Sequence, residues 1–257
     1  MSSQLSRILG TKSRYISFYR TIRAVPFNIN TPIFGQISSL AEVLNIHDNF
    51  GKGELRDDKI EKYLSTSENP LIVDCGVNVG VTVRWWKHLN KNAQIIGIDM
   101  MEEAHIFTKN KLKNYAENSV ASESETERVR ESYYPVTAAL AAIDGERIEI
   151  SFNDPLHGEN SVASKGCSQK RIVTTKTLDT IMSAFGNREI DLLKIDIEGH
   201  GAEALKGGKA SLFRTHQILF ETHNETELSE AVDIIMAANF RIRGMRSRTL
   251  IFERRQS

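Results

Sequence analysis

Two short stretches of the sequence bring acids, glycines and histidines close together, and the first follows a run of apolar residues. It reads Asp74-x-Gly76-x-Asn78-x-Gly80. Glycines directly after a short, partly β-branched run predict a tight turn at the end of a buried strand, where backbone can approach a ligand. Residues 81–89 predict a helix whose N-terminal N–H groups face that turn. Strand, turn and helix together predict a nucleotide-cofactor site.

The spacing of the glycines separates two cofactor classes. A dinucleotide-binding turn has the pattern G-x-G-x-x-G, which this turn lacks. Asp74 would repel a pyrophosphate but attract the ammonium and sulfonium groups of S-adenosylmethionine (SAM). The next predicted strand ends in Asp99, nineteen positions beyond Gly80. A carboxylate at that place in a βαβ unit binds a ribose, so we predict SAM as the cofactor and a nicotinamide-dependent oxidoreductase as the weakest alternative.

Two further positions complete the predicted cofactor site. Met100 follows Asp99 directly, and the small residues Ala138 and Ala139 lie near the far end of the predicted third strand. Small side chains there leave room for an adenine ring. We therefore expect one cofactor-binding set. It comprises Asp74, Gly76, Asn78, Gly80, Asp99, Met100, Ala138 and Asp196.

The second stretch, residues 190–199, and the predicted strand at residues 217–223 place candidate catalytic residues at the ends of the predicted fourth and fifth strands. They are Asp196, Glu198, His200, Glu221 and His223. Parallel strands of an open α/β sheet bind ligands beyond their carboxyl ends, so these side chains should share one crevice. His200 or His223 is a candidate general base, because an imidazole titrates near neutral pH. Asp196 should contact the SAM amino group or orient the acceptor, or form an ion pair with Lys194, two residues earlier on the strand.

Two more ordinary interpretations of these residues stay open. Either histidine could serve as a loop or capping residue. Asp196, Glu198, Glu221 and His223 could also form an oxygen-rich metal site that helps to deprotonate a hydroxyl. Nothing in the spacing demands a metal, and we predict none.

Alternating strand and helix patterns surround both stretches. Helices are expected near residues 57–64, 100–112, 178–185, 202–213 and 227–238, with residues 116–132 as a solvated helix end and loop. Residues 146–152 and 170–175 predict an antiparallel pair after the Asp144-Gly145 turn. Residues 240–246 and 248–253 predict a C-terminal hairpin. The pattern predicts an α/β fold with a doubly wound, mostly parallel seven-stranded sheet and an antiparallel C-terminal strand.

The composition of the 257 residues excludes several classes of protein. Lys+Arg and Asp+Glu number 33 each, so the chain has no net positive charge that would indicate a nucleic-acid partner. The two cysteines suggest neither a disulfide framework nor a zinc site, and a reducing, cytoplasmic compartment is the expectation. No apolar run has the length of a membrane-spanning helix.

The N-terminal segment differs from the rest, because residues 1–41 contain basic residues but no acid. We divide the chain into a helical, basic extension or cap (residues 1–55) and a domain that holds the predicted SAM site (residues 56–257). The extension is expected to cover the ligand cleft. Alternatives are peripheral contact with an anionic membrane and, least favoured, an organelle transit peptide. The long polar loop at residues 153–168 is expected to reach the acceptor.

Together the two stretches resemble the FkbM family of SAM-dependent methyltransferases. The resemblance covers residues 70–225 and depends most on the string Lys194-Ile-Asp196-Ile-Glu198-Gly199. It implies a Rossmann-like class I methyltransferase fold, SAM as methyl donor, and O-methylation of a sugar, glycolipid or natural-product hydroxyl. One position departs from the family pattern, because Gly201 stands where a glutamate is expected.

Three functional hypotheses follow from the sequence. The favoured one is an O-methyltransferase with a small-molecule or glycan acceptor. The second, an RNA 2′-O-methyltransferase, lacks support from a basic-aromatic surface. The third is an inactive SAM-binding regulatory or scaffold module, motivated by Gly201. The sequence does not indicate an oligomeric state.

Overall fold

The computed structural model describes residues 28–119, 122–156 and 169–255. In that part of the chain the strands, in chain order, are β1 (Ile29–Thr31), β2 (Gly35–Ile37), β3 (Leu71–Cys75), β4 (Gln94–Asp99), β5 (Tyr133–Thr137), β6 (Ala139–Leu140), β7 (Arg147–Phe152), β8 (Gln169–Lys176), β9 (Ile190–Ile195), β10 (Thr215–Glu221), β11 (Phe240–Arg246) and β12 (Thr249–Arg254). The helices are α1 (Leu40–Ile46), α2 (Asp58–Thr66), α3 (Val81–Leu89), α4 (Glu102–Ser119), α5 (Glu123–Glu131), α6 (Leu178–Ala184), α7 (Gly201–Lys206), α8 (Lys209–Leu212) and α9 (Glu225–Ala237).

The central sheet of the described chain has seven strands in the order β11-β12-β10-β9-β3-β4-β5. The five strands from β10 to β5 pair in parallel, and β12 inserts antiparallel between β10 and β11. The predicted doubly wound, mostly parallel sheet with an antiparallel C-terminal strand is therefore confirmed. Strands β3, β4, β9 and β10 lie in the middle and run parallel, so their carboxyl ends lie at one edge of the sheet. The strand order reverses its direction between β3 and β9, at that edge.

Apolar side chains alternate along the central strands and fill a core on each face of the sheet. From β3, Leu71 and Val73 pack with α6, α7 and α9, whereas Ile72 packs on the opposite face with α2 and α3. Helix α3 contributes the fully buried Trp86 to the second core. The strands are buried on both faces, as expected for a parallel sheet covered by helices.

The N-terminal segment of the described chain is attached to this core by buried charges. Glu42 on α1 forms ion pairs with Arg84 on α3 (2.8 Å) and Lys111 on α4 (3.0 Å), and Glu42 and Arg84 are fully buried. Phe34 and Ile37 join the same apolar core as α3. The predicted helix within residues 1–27 lies outside the described residues, and the division at residue 55 stays a prediction.

Three predicted elements differ from the structure. Residues 116–132, expected to be a helix end and loop, hold the end of α4 and all of α5, because Ser122 caps α5 by accepting the Glu125 N–H. The helix expected over residues 202–213 breaks into α7 and α8 at Gly207, where an added Cβ would lie 2.2 Å from the Ala141 carbonyl oxygen. The third strand of the central sheet was predicted over residues 134–140, but β5 ends at Thr137.

Beyond Thr137 the chain enters a second, three-stranded sheet. In it β8 lies between β6, which runs parallel to it, and β7, which runs antiparallel. The predicted pairing of residues 146–152 with 170–175 is thus confirmed. Most of the loop between these strands (residues 157–168), including Cys167, lies outside the described residues.

Candidate active site

The glycine turn between β3 and α3 packs against the end of β9. Gly76 has a positive φ of 85°, and a Cβ added to it would lie 1.8 Å from the backbone oxygen of Asp196. Gly80, with φ of 64°, is closed in by Thr108 of α4, whose Oγ1 would lie 2.3 Å from a Cβ. Only glycine allows both the conformation and these approaches. Asn78 also has a positive φ, of 50°.

Asp74 lies beneath this turn rather than beside the cavity. Its carboxylate is fully buried and accepts hydrogen bonds from Thr82 Oγ1 (2.6 Å) and Trp86 Nε1 (3.2 Å), both on α3. The register of β3 and β9 places Lys194 beside it, with Nζ 3.1 Å from Oδ1. The expectation that Asp74 attracts the cofactor directly therefore has no support in this geometry. Asp74 instead fixes α3 and the turn to the sheet.

Lys194 joins the two stretches identified in the sequence. Its ammonium donates a hydrogen bond to the Gly76 carbonyl oxygen (2.7 Å) and lies 3.5 Å from Asp196 Oδ2, so the expected pair with Asp196 is present. Burial would lower the pKa of Lys194, but Asp74 and Asp196 outweigh it and hold that pKa above its usual value. A buried cation thus connects the ends of β3 and β9.

Asp99 organises the backbone on the opposite side of the turn. Its Oδ2 accepts the Asn78 N–H and its Oδ1 accepts the Met101 N–H, each at 2.9 Å. Burial raises the pKa of Asp99 above its ordinary value, with these two hydrogen bonds acting in the opposite direction. Each carboxylate oxygen keeps a second lone pair, which can accept a hydrogen bond from a ligand hydroxyl.

A cavity of about 250 Å³ opens at this edge of the sheet. One end is formed by the glycine turn, the end of β4 with the residues after it, and residues 138–140 after β5, and is mostly apolar. It is lined by Gly76, Asn78, Ile98, Asp99, Met100, Met101, Ala138, Ala139 and Leu140. Of the predicted cofactor-binding residues, Asp74 and Gly80 lie outside this wall, and Asp196 lies where the two ends of the cavity meet.

The other end of the cavity is polar and rich in carboxylates. Its lining includes Asn45, Asp48, Asn49, Lys52, Glu54, Asp196, Glu198, His200, Glu221 and Arg248. Four of the five predicted catalytic residues line the wall, and His223 does not. His200 Nδ1 lies 3.4 Å from the backbone oxygen of Glu198, and its ring forms part of the wall.

His223 lies behind the wall, among four carboxylates. Its Nε2 is 3.4 Å from Glu198, 3.6 Å from Asp196 and 4.0 Å from Glu221, and its Nδ1 is 3.7 Å from Glu227. Burial would lower the pKa of His223, but these acids outweigh it and raise the pKa above its usual value. A raised pKa reduces the share of neutral imidazole, the form that can accept a proton, so His223 is a weaker candidate for the general base.

Glu221, unlike His223, lines the cavity and can accept a proton near neutral pH. It is 7% exposed, lies on the wall and accepts a hydrogen bond from Arg248 Nη2 at 2.7 Å. Burial first, and then the charge of Asp196, raise the pKa of Glu221 to about 7, although Arg248 and His223 act to lower it. A carboxylate that changes its charge near neutral pH is suited to accept a proton.

The family profile described as the Methyltransferase FkbM domain matches residues 74–242, which is 169 of the 257 residues. This chain belongs to the FkbM methyltransferase family. The match contains the glycine turn, Asp99 and the whole carboxylate wall contributed by β9 and β10. Among curated protein sequences, none matches the chain significantly.

Solved methyltransferase structures show a distant similarity to this FkbM-family chain. Aeropyrum pernix fibrillarin with bound SAM has 8% identity and a TM-score of 0.47, covering 90% of this chain and 83% of that one. A SAM-dependent O-methyltransferase from Thermotoga maritima has 10% identity and a TM-score of 0.43, covering 93% and 83% respectively. Identities and scores this low say nothing about the acceptor of this chain.

The cofactor of this family and fold is SAM, and the residues of the apolar end fit it. Gly76 lines this end of the cavity with its backbone, without a side chain. Asp99 presents acceptor atoms for ribose hydroxyls, while Met100 and Ala138 provide apolar surface for an adenine. Asp196, at the junction with the polar end, is placed to accept from an ammonium group.

The departure from the family pattern at Gly201 has a steric explanation. A Cβ on this residue would lie 2.6 Å from the ring of Phe220 and 2.9 Å from Glu227 Oε1. The Gly201 N–H donates a hydrogen bond to that same Glu227 oxygen at 2.7 Å. A glutamate at position 201 therefore has no room, and a carboxylate from α9 already occupies the space.

Three of the polar side chains could together hold a cation. Asp196, Glu221 and His223 each offer a ligand atom, and these atoms lie within 4.8 Å of one another. Carboxylate oxygens and an imidazole nitrogen suit a divalent metal. This set overlaps the metal alternative considered from the sequence, without Glu198.

Sequence reasoning missed the part of the polar end of the cavity that comes from residues 45–54 and from Arg248. These residues belong to the π-helical turn His47–Gly51, its flanks, and the turn between β11 and β12. No local motif marks them, because their position depends on how α1 packs on α3. The buried Glu42, in an otherwise basic segment, is the one signal that α1 is anchored to the domain.

Proposed function

We propose that this FkbM-family protein is an O-methyltransferase that acts on a hydroxyl of a sugar, glycolipid or natural product. The observation that carries the proposal is the continuity of the cavity. The apolar, cofactor-binding end opens directly into a wall of carboxylate and amide oxygens. Such oxygens accept hydrogen bonds from several hydroxyl groups at once, as a polyhydroxylated acceptor requires.

SAM, when bound, supplies an activated methyl group, so the protein has to orient the acceptor and remove one proton. We assign the proton to Glu221, which lines the wall and has a pKa of about 7. Arg248 holds the Glu221 carboxylate in place, and Asp196 and Glu198 lie beside it to orient the acceptor. This assignment replaces His200 and His223 as first candidates for the base.

The proposed acceptor is a small molecule or a glycan, and the compartment stays a prediction. In the described part of the chain, no helix has both the length and the apolar character needed to span a bilayer. All basic residues of the N-terminal segment (residues 1–41) lie within residues 1–27, outside the described residues, so membrane contact through them stays a prediction.

The test is release of S-adenosylhomocysteine from SAM on a panel of oligosaccharides, glycolipids, polyketide aglycones and RNA, with mass spectrometry locating the new methyl group. We expect turnover on a hydroxylated small molecule or glycan, reduced at least 100-fold in Glu221→Gln, since general-base catalysis contributes about 10²–10⁴. Glu203→Gln on α7, whose side chain pairs with Lys206 at 2.6 Å, is the matched control and should retain activity. Turnover on RNA alone, or methylation of nitrogen or carbon, would contradict the proposal.

A further inference from the structure

One polar face of the N-terminal segment lines the polar end of the cavity. It runs along the end of α1 and the π-helical turn His47–Gly51, at the i, i+3, i+4 and i+7 spacing typical of one helix face, and comprises Asn45, Asp48, Asn49 and Lys52. The Leu55 N–H then donates a hydrogen bond to the Asn49 carbonyl oxygen at 3.0 Å, which folds the chain back and brings Glu54 to the same wall. A set of polar side chains that converges on a cavity is suited to fix the orientation of a ligand.

Two of these residues are buried without a partner for their side chains. Asn49 is 7% exposed and Glu54 is 8% exposed. In the part of the chain that the structure describes, neither side chain forms a hydrogen bond, and Glu54 belongs to no ion pair. A buried polar side chain that only stabilises a fold is normally paired with a donor or an acceptor. Both residues line the cavity, so their polar atoms are available to a ligand there.

The carboxylates of the polar end outnumber its lysine and arginine side chains. The acids are Asp48, Glu54, Asp196, Glu198 and Glu221, and the two basic side chains are Lys52 and Arg248. Both basic side chains already contact an acid, since Lys52 Nζ lies 2.6 Å from Asp48 and Arg248 Nη2 lies 2.7 Å from Glu221. A buried carboxylate without an opposite charge is costly. Glu54 therefore favours a ligand that carries a positive charge.

A divalent metal is one source of positive charge, but it suits Glu54 less well than an ammonium group does. Among the described residues, the ligand atoms that lie close enough to share a metal belong to Asp196, Glu221 and His223, and Glu54 is outside this group. Asn49 adds a neutral amide to the wall that Glu54 lines. An ammonium group donates up to three hydrogen bonds, which carboxylate and amide oxygens can accept.

We propose that Glu54 and Asn49 bind a protonated amine of the acceptor, and that the acceptor is a polyhydroxylated amine such as an amino sugar. This inference rests on the proposed function for the identity of the ligand as the acceptor, and it adds the charge of that ligand. Glu54 accepts hydrogen bonds from the ammonium group, and the Asn49 amide binds the ammonium group or the hydroxyl next to it. The acids after β9 and β10 remain for the hydroxyl that receives the methyl group.

The test is binding of glucosamine, galactosamine and mannosamine, each compared with its N-acetyl form, to the full chain in the presence of S-adenosylhomocysteine. Chemical-shift changes in NMR at neutral pH give the affinities. Each pair shares its ring and hydroxyls and differs in the charge of one nitrogen. We expect the wild type to bind at least one amine about tenfold or more tightly than its N-acetyl form, because a hydrogen bond to a charged group contributes a factor of this size.

Glu54→Gln should abolish this preference, and Glu54→Asp, which keeps the charge, should retain part of it. Glu203→Gln on α7 is the matched control, because it removes an exposed carboxylate that pairs with Lys206 at 2.6 Å, and it should keep the full preference. If no amine binds the wild type more tightly than its N-acetyl form, the proposal is overturned, whether or not the variants fold. A preference that persists in Glu54→Gln would overturn it too, because the amine would then bind elsewhere.

Two further results separate this inference from its alternatives. Mn²⁺ alone is titrated into the same proteins, and loss of Mn²⁺ binding in Glu54→Gln would identify Glu54 as a metal ligand and contradict the proposal. Methyl transfer to uncharged acceptors only would also contradict it, while the proposed O-methylation would stand. Absence of methyl transfer to any acceptor would count against the proposed function, but would leave the measured preference for the amine intact.

Discussion

The buried ammonium of Lys194 gives the sharpest prediction about what holds the cofactor turn in place. Its Nζ lies 3.1 Å from Asp74, 3.5 Å from Asp196 and 2.7 Å from the Gly76 carbonyl oxygen, and the residue is 1% exposed. Methionine has a similar length and no charge. Lys194→Met therefore preserves packing while it leaves two carboxylates without their counter-charge.

Removal of one partner of a buried ion pair costs about 3–5 kcal/mol, because the remaining charge stays buried and uncompensated. This is a large part of the roughly 5–15 kcal/mol by which a domain is stable. At about 2–4 °C per kcal/mol for a chain of this size, Lys194→Met should lower Tm by roughly 6–20 °C.

The assay is urea denaturation followed by circular dichroism, with two further variants. Lys206→Met is the control: this lysine also contacts two carboxylates, Glu203 at 2.6 Å and Glu230 at 2.7 Å, but its side chain is 38% exposed. An exposed pair of this kind contributes about 0–1 kcal/mol. Asp74→Asn combined with Lys194→Met removes the more deeply buried of the two uncompensated carboxylate charges and keeps an oxygen for Thr82 and Trp86.

We expect the double variant to recover at least about 1 kcal/mol relative to Lys194→Met, as coupled neighbours do. If Lys194→Met costs no more than Lys206→Met, or if the double variant is no more stable than Lys194→Met, the ion pair does not fix the turn and the reasoning fails.

Three other substitutions test separate parts of the structure. Gly76→Ala places a Cβ 1.8 Å from backbone and should abolish SAM binding. Gly145→Ala, with nothing within 4 Å of its Cβ, should lose only about 1 kcal/mol of stability from its positive φ. Calorimetry that finds equal SAM affinity in both variants would contradict this. The pKa of Glu221 is raised from 4.5 to about 7, so between these values the folded state keeps a proton that the unfolded state releases. The stability that the protonated Glu221 provides is therefore lost as pH rises from about 4.5 through 7. Relative to Glu221→Gln, the wild type should lose on the order of 3 kcal/mol over that range in denaturation experiments, and a constant difference would refute the shift. Glu42→Gln leaves Arg84 buried without its carboxylate and should cost about 3–5 kcal/mol, and a cost below about 1 kcal/mol would show that α1 is not anchored by charge.

The sequence predicted the sheet, and it predicted that Gly76, Asn78 and Asp99 come together at one edge of it, for a physical reason. Residues 71–99 form one continuous strand, turn, helix and strand, and the distance from Gly80 to Asp99 is set by local geometry. Asp99 accordingly lies on the cavity wall with both oxygens directed at backbone N–H groups. Asp74 carries the same chemistry, but its neighbours Thr82 and Trp86 bury it, which spacing alone does not show.

The polar end of the cavity was less predictable, because residues from distant segments of the chain line it. The carboxylates after β9 and β10 were expected to meet, and they do. Their order of importance depends on partners that lie far away in sequence. Arg248 contacts Glu221 across 27 residues, and Glu227 contacts Gly201 across 26. The side chains of residues 45–54 reach the cavity only because Glu42 anchors α1 to α3 and α4.

The measurement that tests the central claim most directly is calorimetric titration of SAM and S-adenosylhomocysteine into the wild type and Asp99→Ala. We expect both ligands to bind the wild type, and binding to weaken at least tenfold in the variant. A hydrogen bond to a charged group contributes about 1.5–3 kcal/mol, and 1.4 kcal/mol is a factor of ten. Circular dichroism would confirm that both proteins are folded. If folded wild-type protein binds neither ligand, the cofactor site built around Gly76 and Asp99 is wrong, and the proposed methyl transfer fails with it.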